Sequence, residues 1–220
     1  MKTCCLCSNL VSTPSTEAWD RPVFESANFV VLPSLGSLVE GWLLLVPKQH
    51  YLSMGALPAS LVIEMEEMKA KVSAHVRQEY GETCVFEHGP ATASRSVGCS
   101  VDHAHLHIVP LTFDIGQAAR PFLPKDAEWV NASWIQCQQA HQAGKDYLYF
   151  EQPVGYGNIS THNEFGSQVF RKAIAAQIGR PDDFNWREHP ELETIAKTIN
   201  VLKSTSADTA YSNEVIACAQ

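Results

Sequence analysis

The chain has 220 residues, 45% of them hydrophobic and 18% charged, a balance that excludes global disorder and suits one well-filled core or one domain with a substantial extension. A formal net charge of −8 and a pI near 5.5 exclude the basic footprint of a protein that grips nucleic acid non-specifically. An anionic ligand therefore has to be held by local donors, and no nucleic-acid partner is expected.

The first residues, Met1-Lys2-Thr3-Cys4-Cys5-Leu6-Cys7, lack the apolar stretch of a secretory leader, and the longest apolar run, Trp42 to Val46, is too short to span a bilayer. A cytoplasmic location and no membrane partner are the expectations. Seven cysteines, an odd number with no sign of secretion, read as thiols and metal ligands rather than disulfides. Cys4 and Cys7 make a Cys-x-x-Cys pair, which by itself suits a redox motif, half a metal site or neither.

Asn28 to Leu32 is apolar and β-branched and runs into the turn-like stretch 33–37, so it reads as a strand. Trp42 to Val46, between Gly41 and Pro47, reads as its hairpin partner. After Pro58 the period changes: Leu61, Met65, Met68, Val72 and Val76 recur at steps of three and four, which predicts a long helix closed by Gly81. Thr83 to Glu87 is a third short strand. Val101 to Leu111 is a fourth, with His103, His105 and His107 on one face and Ala104, Leu106 and Ile108 on the other.

Beyond Phe113 the pattern predicts an amphipathic helix over 126–142, a strand over 147–150, a loop at 155–158 and a helix over 166–178. A last helix starts near Pro190 with Leu192, Ile195, Ile199 and Leu202 inward, and a tail follows Ser204. Hairpin strands around one long helix indicate an α+β fold, an antiparallel sheet with a mostly helical C-terminal extension packed on it. The expected division is residues 1–112 and an extension, 113–220, that completes the domain and contributes to the substrate pocket.

Alternating histidines on a strand have two chemical uses. Neighbours two apart are roughly 6.5–7 Å apart at the backbone and can share a metal, as in some metal hydrolases, but His103 and His107, about 13 Å apart, cannot easily do so. A neutral imidazole is also a competent nucleophile near pH 7 toward phosphorus. His105 would then attack, while His107 on the same face donates to a phosphate oxygen or leaving group.

The run His103-Ala104-His105-Leu106-His107-Ile108-Val109 resembles the signature of the histidine triad (HIT) superfamily, histidines alternating with apolar residues. Gly41-Trp42-Leu43-Leu44-Leu45-Val46-Pro47-Lys48-Gln49-His50 resembles the family's glycine, apolar strand and Pro-Lys-x-His segment. Glu87-His88-Gly89 and Gly98-Cys99-Ser100 resemble its acidic-glycine turn and its Gly-x-Ser phosphate stretch, and the order holds from about Cys4 to Leu111. The resemblance implies a small α+β fold, usually a homodimer, whose middle histidine becomes nucleotidylated. It assigns His105 as nucleophile, His107 as a phosphate or leaving-group contact, Gly98, Cys99 and Ser100 as phosphate contacts, and His88 as a pocket wall. It also implies a structural zinc held by Cys4, Cys7, His50 and His103, which frees His105 and His107 for the phosphate.

Two features depart from the family. The first hairpin, Ser26 to Val39, holds no Asp or Glu to bind a nucleotide ribose. The chain also continues far past the triad, where a helix start bearing Ser167, Gln168, Arg171 and Lys172 could clasp a phosphate; this segment resembles extensions of the dinucleoside-polyphosphate phosphorylase branch. Asn185-Trp186-Arg187 puts a stacking ring beside a cation. The expected activity is nucleotide hydrolysis or nucleotidyl transfer through His105, on a nucleotide or nucleotidylated small molecule. The alternatives are a phosphorylase using phosphate as acceptor, a nucleotide-binding module without turnover, and a metal hydrolase.

Overall fold

The structure is a computed structural model that describes residues 4–11, 17–95, 97 and 101–217, with the backbone alone for residues 5, 9, 11 and 205–217. Strands β1 (Phe24–Glu25), β2 (Phe29–Pro33), β3 (Leu43–Pro47), β4 (Thr83–Gly89), β5 (Leu106–Pro110), β6 (Val130–Ala132), β7 (Tyr147–Glu151) and β8 (Gly157–Thr161) form one antiparallel sheet in the order β1-β2-β3-β5-β4-β7-β8-β6. The helices are α1 (Cys5–Val11), α2 (Ala59–Tyr80), α3 (Ile115–Ala119), α4 (Trp134–Gln142), α5 (Val169–Gln177) and α6 (Leu192–Ala217). No helix among the described residues is long and apolar enough to cross a membrane.

Because side chains alternate along a strand, the inner strands feed two cores. Leu43, Leu45, Val85, Leu106, Ile108, Tyr147 and Tyr149 point to the side covered by α2, where Met65, Met68, Val72 and Val76 meet them. Trp42, Cys84, Phe86, Val109, Leu148 and Phe150 point to the other side, under α3 and α5. At the β2–β3 end of that second side, Leu6 and Leu10 of α1 pack on Val30, Leu32, Leu44 and Val46. The triad strand thus lies at the centre of the sheet, with His107 on the α5 side.

Several elements differ from the sequence expectation. The predicted strand over 101–111 is regular only from Leu106 to Pro110. Its partner β3 ends at Pro47, which has no N–H to extend a ladder, and the preceding segment bonds elsewhere: the Ala104 amide donates to the Tyr51 carbonyl at 2.7 Å. The predicted helix over 126–142 splits into β6 and α4, because Ser133 caps α4 in a reciprocal capping box with Gln136. The predicted loop at 155–158 contains the start of β8, and the helix expected over 166–178 begins only at Val169. Leu192 is exposed instead of inward, while Ile195, Ile199 and Leu202 are buried as expected. The expected tail after Ser204 is helical to Ala217.

Candidate active site

The tautomer of each histidine near the triad follows from a partner that can play only one role. His105 Nδ1 lies 2.7 Å from the His103 carbonyl, which can only accept, so Nδ1 carries the proton and Nε2 keeps its lone pair. His103 Nε2 donates in the same way to the Pro47 carbonyl at 2.8 Å, which leaves the lone pair on Nδ1. Conversely, the Trp42 indole donates to His107 Nδ1 at 2.9 Å, and the Phe170 amide donates to His88 Nε2 at 3.3 Å.

Burial keeps these rings neutral. It pulls the imidazole of His105 below its ordinary value, with the His103 carbonyl opposing, and holds His107 well below the usual histidine range, helped by the neighbouring His105, His88 and Arg171. Burial pushes His88 down to about 3 and His103 to about 4. At neutral pH His105 therefore offers a lone pair and His107 an Nε2–H, with ring centroids 5.0 Å apart. His107 Nε2 has no hydrogen-bond partner among the described residues.

Both rings line a cavity of about 260 Å³. Its apolar wall includes Leu6 of α1, Leu32, Leu35 and Leu44 of the β2–β3 hairpin, and Trp19; Trp186 and Arg171 close it from the extension. Arg171 is only 3% exposed; its Nε donates to the Phe184 carbonyl at 2.9 Å and its Nη2 to the Gly36 carbonyl. Gly36 has φ of +76°, and a Cβ there would come within 2.6 Å of the Trp186 Cβ, so only glycine lets the hairpin tip and the extension close on each other.

A second constellation lies beside the first. Cys4, Cys7, His50 and His103 bring one ligand atom each to within 4.8 Å of one another. The Cys4 and Cys7 sulfurs are each 3.4 Å from His103 Nδ1, and Cys7 is 3.3 Å from His50 Nδ1. A tetrahedral zinc, with bonds of about 2.3 Å to sulfur and about 2.0 Å to nitrogen, separates such ligands by roughly 3.5 Å. The His103–Pro47 bond and the Cys7 amide directed at the Cys4 sulfur, 3.5 Å away, supply the outer contacts such a centre uses. The residues present fit a closed, four-ligand metal site.

The remaining predicted site residues fall differently. Gly98, Cys99 and Ser100 lie outside the described residues. His88 is buried beneath Phe170 and His107, with ring centroids 5.1 and 6.1 Å away, and lies outside the cavity wall. The start of α5 faces the interior: its Phe170 amide is taken by His88, and Gln168, at φ of +58°, is 6% exposed. Lys172 sits over the Phe184 ring, outside the cavity wall, whereas Arg171 lines it. Ser26 to Val39 holds no carboxylate, and the one in the wall is Asp20, from the turn Ala18–Asp20 upstream of β1. Neither Asp20 nor Trp19 lies in a sequence motif, and Leu6 lies within the Cys4–Cys7 pair, which marks the cysteines and not the leucine. Trp42 reads there as a core residue, and only Gly36 in its turn carries a local signal.

Residues 15–114 match the family model for the HIT domain. A comparison with curated proteins finds no match. Among solved structures, the chain is similar to a uridylyltransferase (11% identity, TM-score 0.44, covering 88% of each chain). It is also similar to a zinc-bound histidine triad family protein from Mycobacterium smegmatis (17% identity, TM-score 0.42, 64% of this chain and 92% of that one). A third is yeast Ap4A phosphorylase Apa2 in complex with AMP (17% identity, TM-score 0.40, 67% and 61%).

Proposed function

We propose that this chain, whose residues 15–114 match the family model for the HIT domain, is a nucleotide hydrolase or nucleotidyltransferase in which His105 Nε2 attacks the α-phosphorus of a nucleotide. The observation that carries this reading is the bond from His105 Nδ1 to the His103 carbonyl, which fixes the proton on Nδ1 and leaves the nucleophilic lone pair on Nε2 of the cavity-lining ring. A bond from Nε2 to phosphorus forms as the bond to the leaving oxygen breaks, and the leaving group departs as an anion that takes any proton it needs from solvent. Water or a second acceptor then opens the phosphorus–nitrogen bond and releases the nucleoside monophosphate unit. His107 Nε2–H donates to a phosphoryl oxygen or to the leaving oxygen, and the cavity-lining Arg171 cation offsets the phosphate charge. Gly98, Cys99 and Ser100 complete the phosphate contacts in this reading.

The apolar wall and the rings of Trp19 and Trp186 suit a nucleobase, and Asp20 suits a hydroxylated sugar. Zinc is the metal that two thiolates and two imidazoles at this spacing favour, held by Cys4, Cys7, His50 and His103. With its shell closed by protein it supplies structural anchoring: it ties α1, and with it Leu6, to the histidine segment.

A panel of nucleotides, nucleoside phosphoramidates and dinucleoside polyphosphates, run with and without inorganic phosphate, tests the reading. Wild type turns over at least one of them, and His105→Ala loses 10³-fold or more, on the order expected for a lost nucleophile. Turnover undiminished in His105→Ala contradicts the mechanism.

A further inference from the structure

Trp42 immediately precedes β3 and is fully buried. An indole nitrogen has one hydrogen and no accepting lone pair, so at 2.9 Å it can only donate to His107 Nδ1. A proton on Nδ1 would set two N–H groups head to head. Turning the imidazole over would put a C–H against the indole in place of the acceptor. The ring is also clamped on its faces and edges: Phe86 stacks on it at 4.4 Å with an 18° tilt, and Trp42 meets it edge-on at 5.7 Å.

Trp42 is itself held by the extension. The Arg171 guanidinium carbon lies 4.8 Å from the indole centroid, and the Gly36 and Phe184 carbonyls hold that guanidinium. A cation over the indole face draws electron density from the ring and strengthens its N–H as a donor. The outcome is read at the other nitrogen: His107 Nε2 is buried, unpartnered among the described residues, and belongs to a cavity-lining side chain.

From this geometry we infer that Trp42 is a positioning residue that locks His107 in the tautomer with its proton on Nε2, making His107 a fixed neutral donor to the substrate phosphate. Resting on the function proposed above, it assigns the C-terminal extension a part in the chemistry, transmitted from Arg171 through Trp42 to His107. A residue able both to donate and to accept at position 42 would leave the proton free to sit on either nitrogen.

The test is a long-range ¹H–¹⁵N correlation spectrum of the histidine side chains at pH 7 in wild type and Trp42→Phe, which keeps a ring against Arg171 but removes the donor. The His107 signals are assigned by their absence from His107→Gln. In wild type His107 is expected as a neutral ring with its proton on Nε2. In Trp42→Phe the proton spreads to Nδ1, and kcat for nucleotide turnover falls about ten- to a hundredfold with KM changed much less. A wild-type His107 protonated on Nδ1 or on both nitrogens overturns the inference, and that spectrum decides even where Trp42→Phe does not fold. An unchanged tautomer in Trp42→Phe, or a changed tautomer with unchanged kcat, overturns it too. A wild type that turns over no nucleotide counts against the proposed function, while the lock itself stands or falls on the spectra.

Discussion

Four buried imidazoles around one strand are told apart by their partners alone: carbonyls fix the protons of His103 and His105, and N–H donors fix those of His88 and His107. The same logic extends to Glu87, 1% exposed, which accepts from the Met54 amide and the Tyr147 hydroxyl while burial pushes its carboxyl up to about 7. Its folded value is raised above the ordinary 4.5, so the folded protein binds this proton more tightly than the unfolded chain. Its contribution to stability is fully present below about pH 4.5 and is lost as pH rises through about 7, a change of about 3 kcal/mol. The buried histidines act oppositely over the lower part of the range, losing stability as pH falls below about 6.5. The difference between wild type and Glu87→Gln isolates the carboxyl: urea unfolding at pH 4.5 and pH 8 is expected to show the variant gaining on wild type at the higher pH. An equal difference at both pH values contradicts the assignment. The histidine alternation and the Cys-x-x-Cys pair were legible because they are local. The tautomers were not, because each depends on a partner such as Trp42, Pro47 or Phe170 that no local pattern marks.

At the level of elements, α1 is the least self-sufficient. Its seven residues are too few for an isolated helix, and its docking rests on Leu6, Leu10 and the Cys4–Cys7–His50–His103 cluster. Cys4→Ser is expected to lower the bound metal from one equivalent and to raise KM for nucleotide several-fold by freeing Leu6 from the cavity wall; purified wild type that is metal-free and fully active contradicts the site. The hairpin tip is the second joint. Gly36→Ala puts a Cβ into Trp186 at positive φ and disturbs the carbonyl that holds Arg171, so a loss of about 1–3 kcal/mol in denaturant unfolding is expected. A change below 0.5 kcal/mol would show that the joint opens without cost. The long helix α2 and the hairpin strands β2 and β3 were readable from their periods, since they bury near-continuous apolar patterns. The short β6 and β8 were not, because their residues are largely exposed or half-buried, and pairing of β8 with β7 and of β6 with β8, rather than apolar content, makes them strands.

Across the whole molecule the cavity is assembled from distant parts of the chain: Leu6, Trp19 and Asp20 near the start, the β2–β3 hairpin, the triad, and Arg171 and Trp186 far beyond it. That is why the catalytic candidates could be named in advance while most of the wall could not. The sheet is equally continuous. β7 from the extension pairs with β4 over Val85 to Gly89 and so covers the strand beside the triad. A chain cut after Thr112 is therefore expected not to fold, because the bared β4 ladder and the Phe86 face, stripped of α3 and α5, cost more than the net stability of about 5–15 kcal/mol typical of a domain; a cooperative thermal transition in residues 1–112 would contradict this. All of these contributions converge on one atom, His105 Nε2. The most direct measurement is rapid acid-free quenching of wild type with a turned-over nucleotide, followed by peptide mass analysis. The account predicts a nucleoside-monophosphate adduct on the peptide carrying His105, absent from His105→Ala. Turnover that proceeds with no adduct at any quench time, or an adduct that persists in His105→Ala, contradicts it.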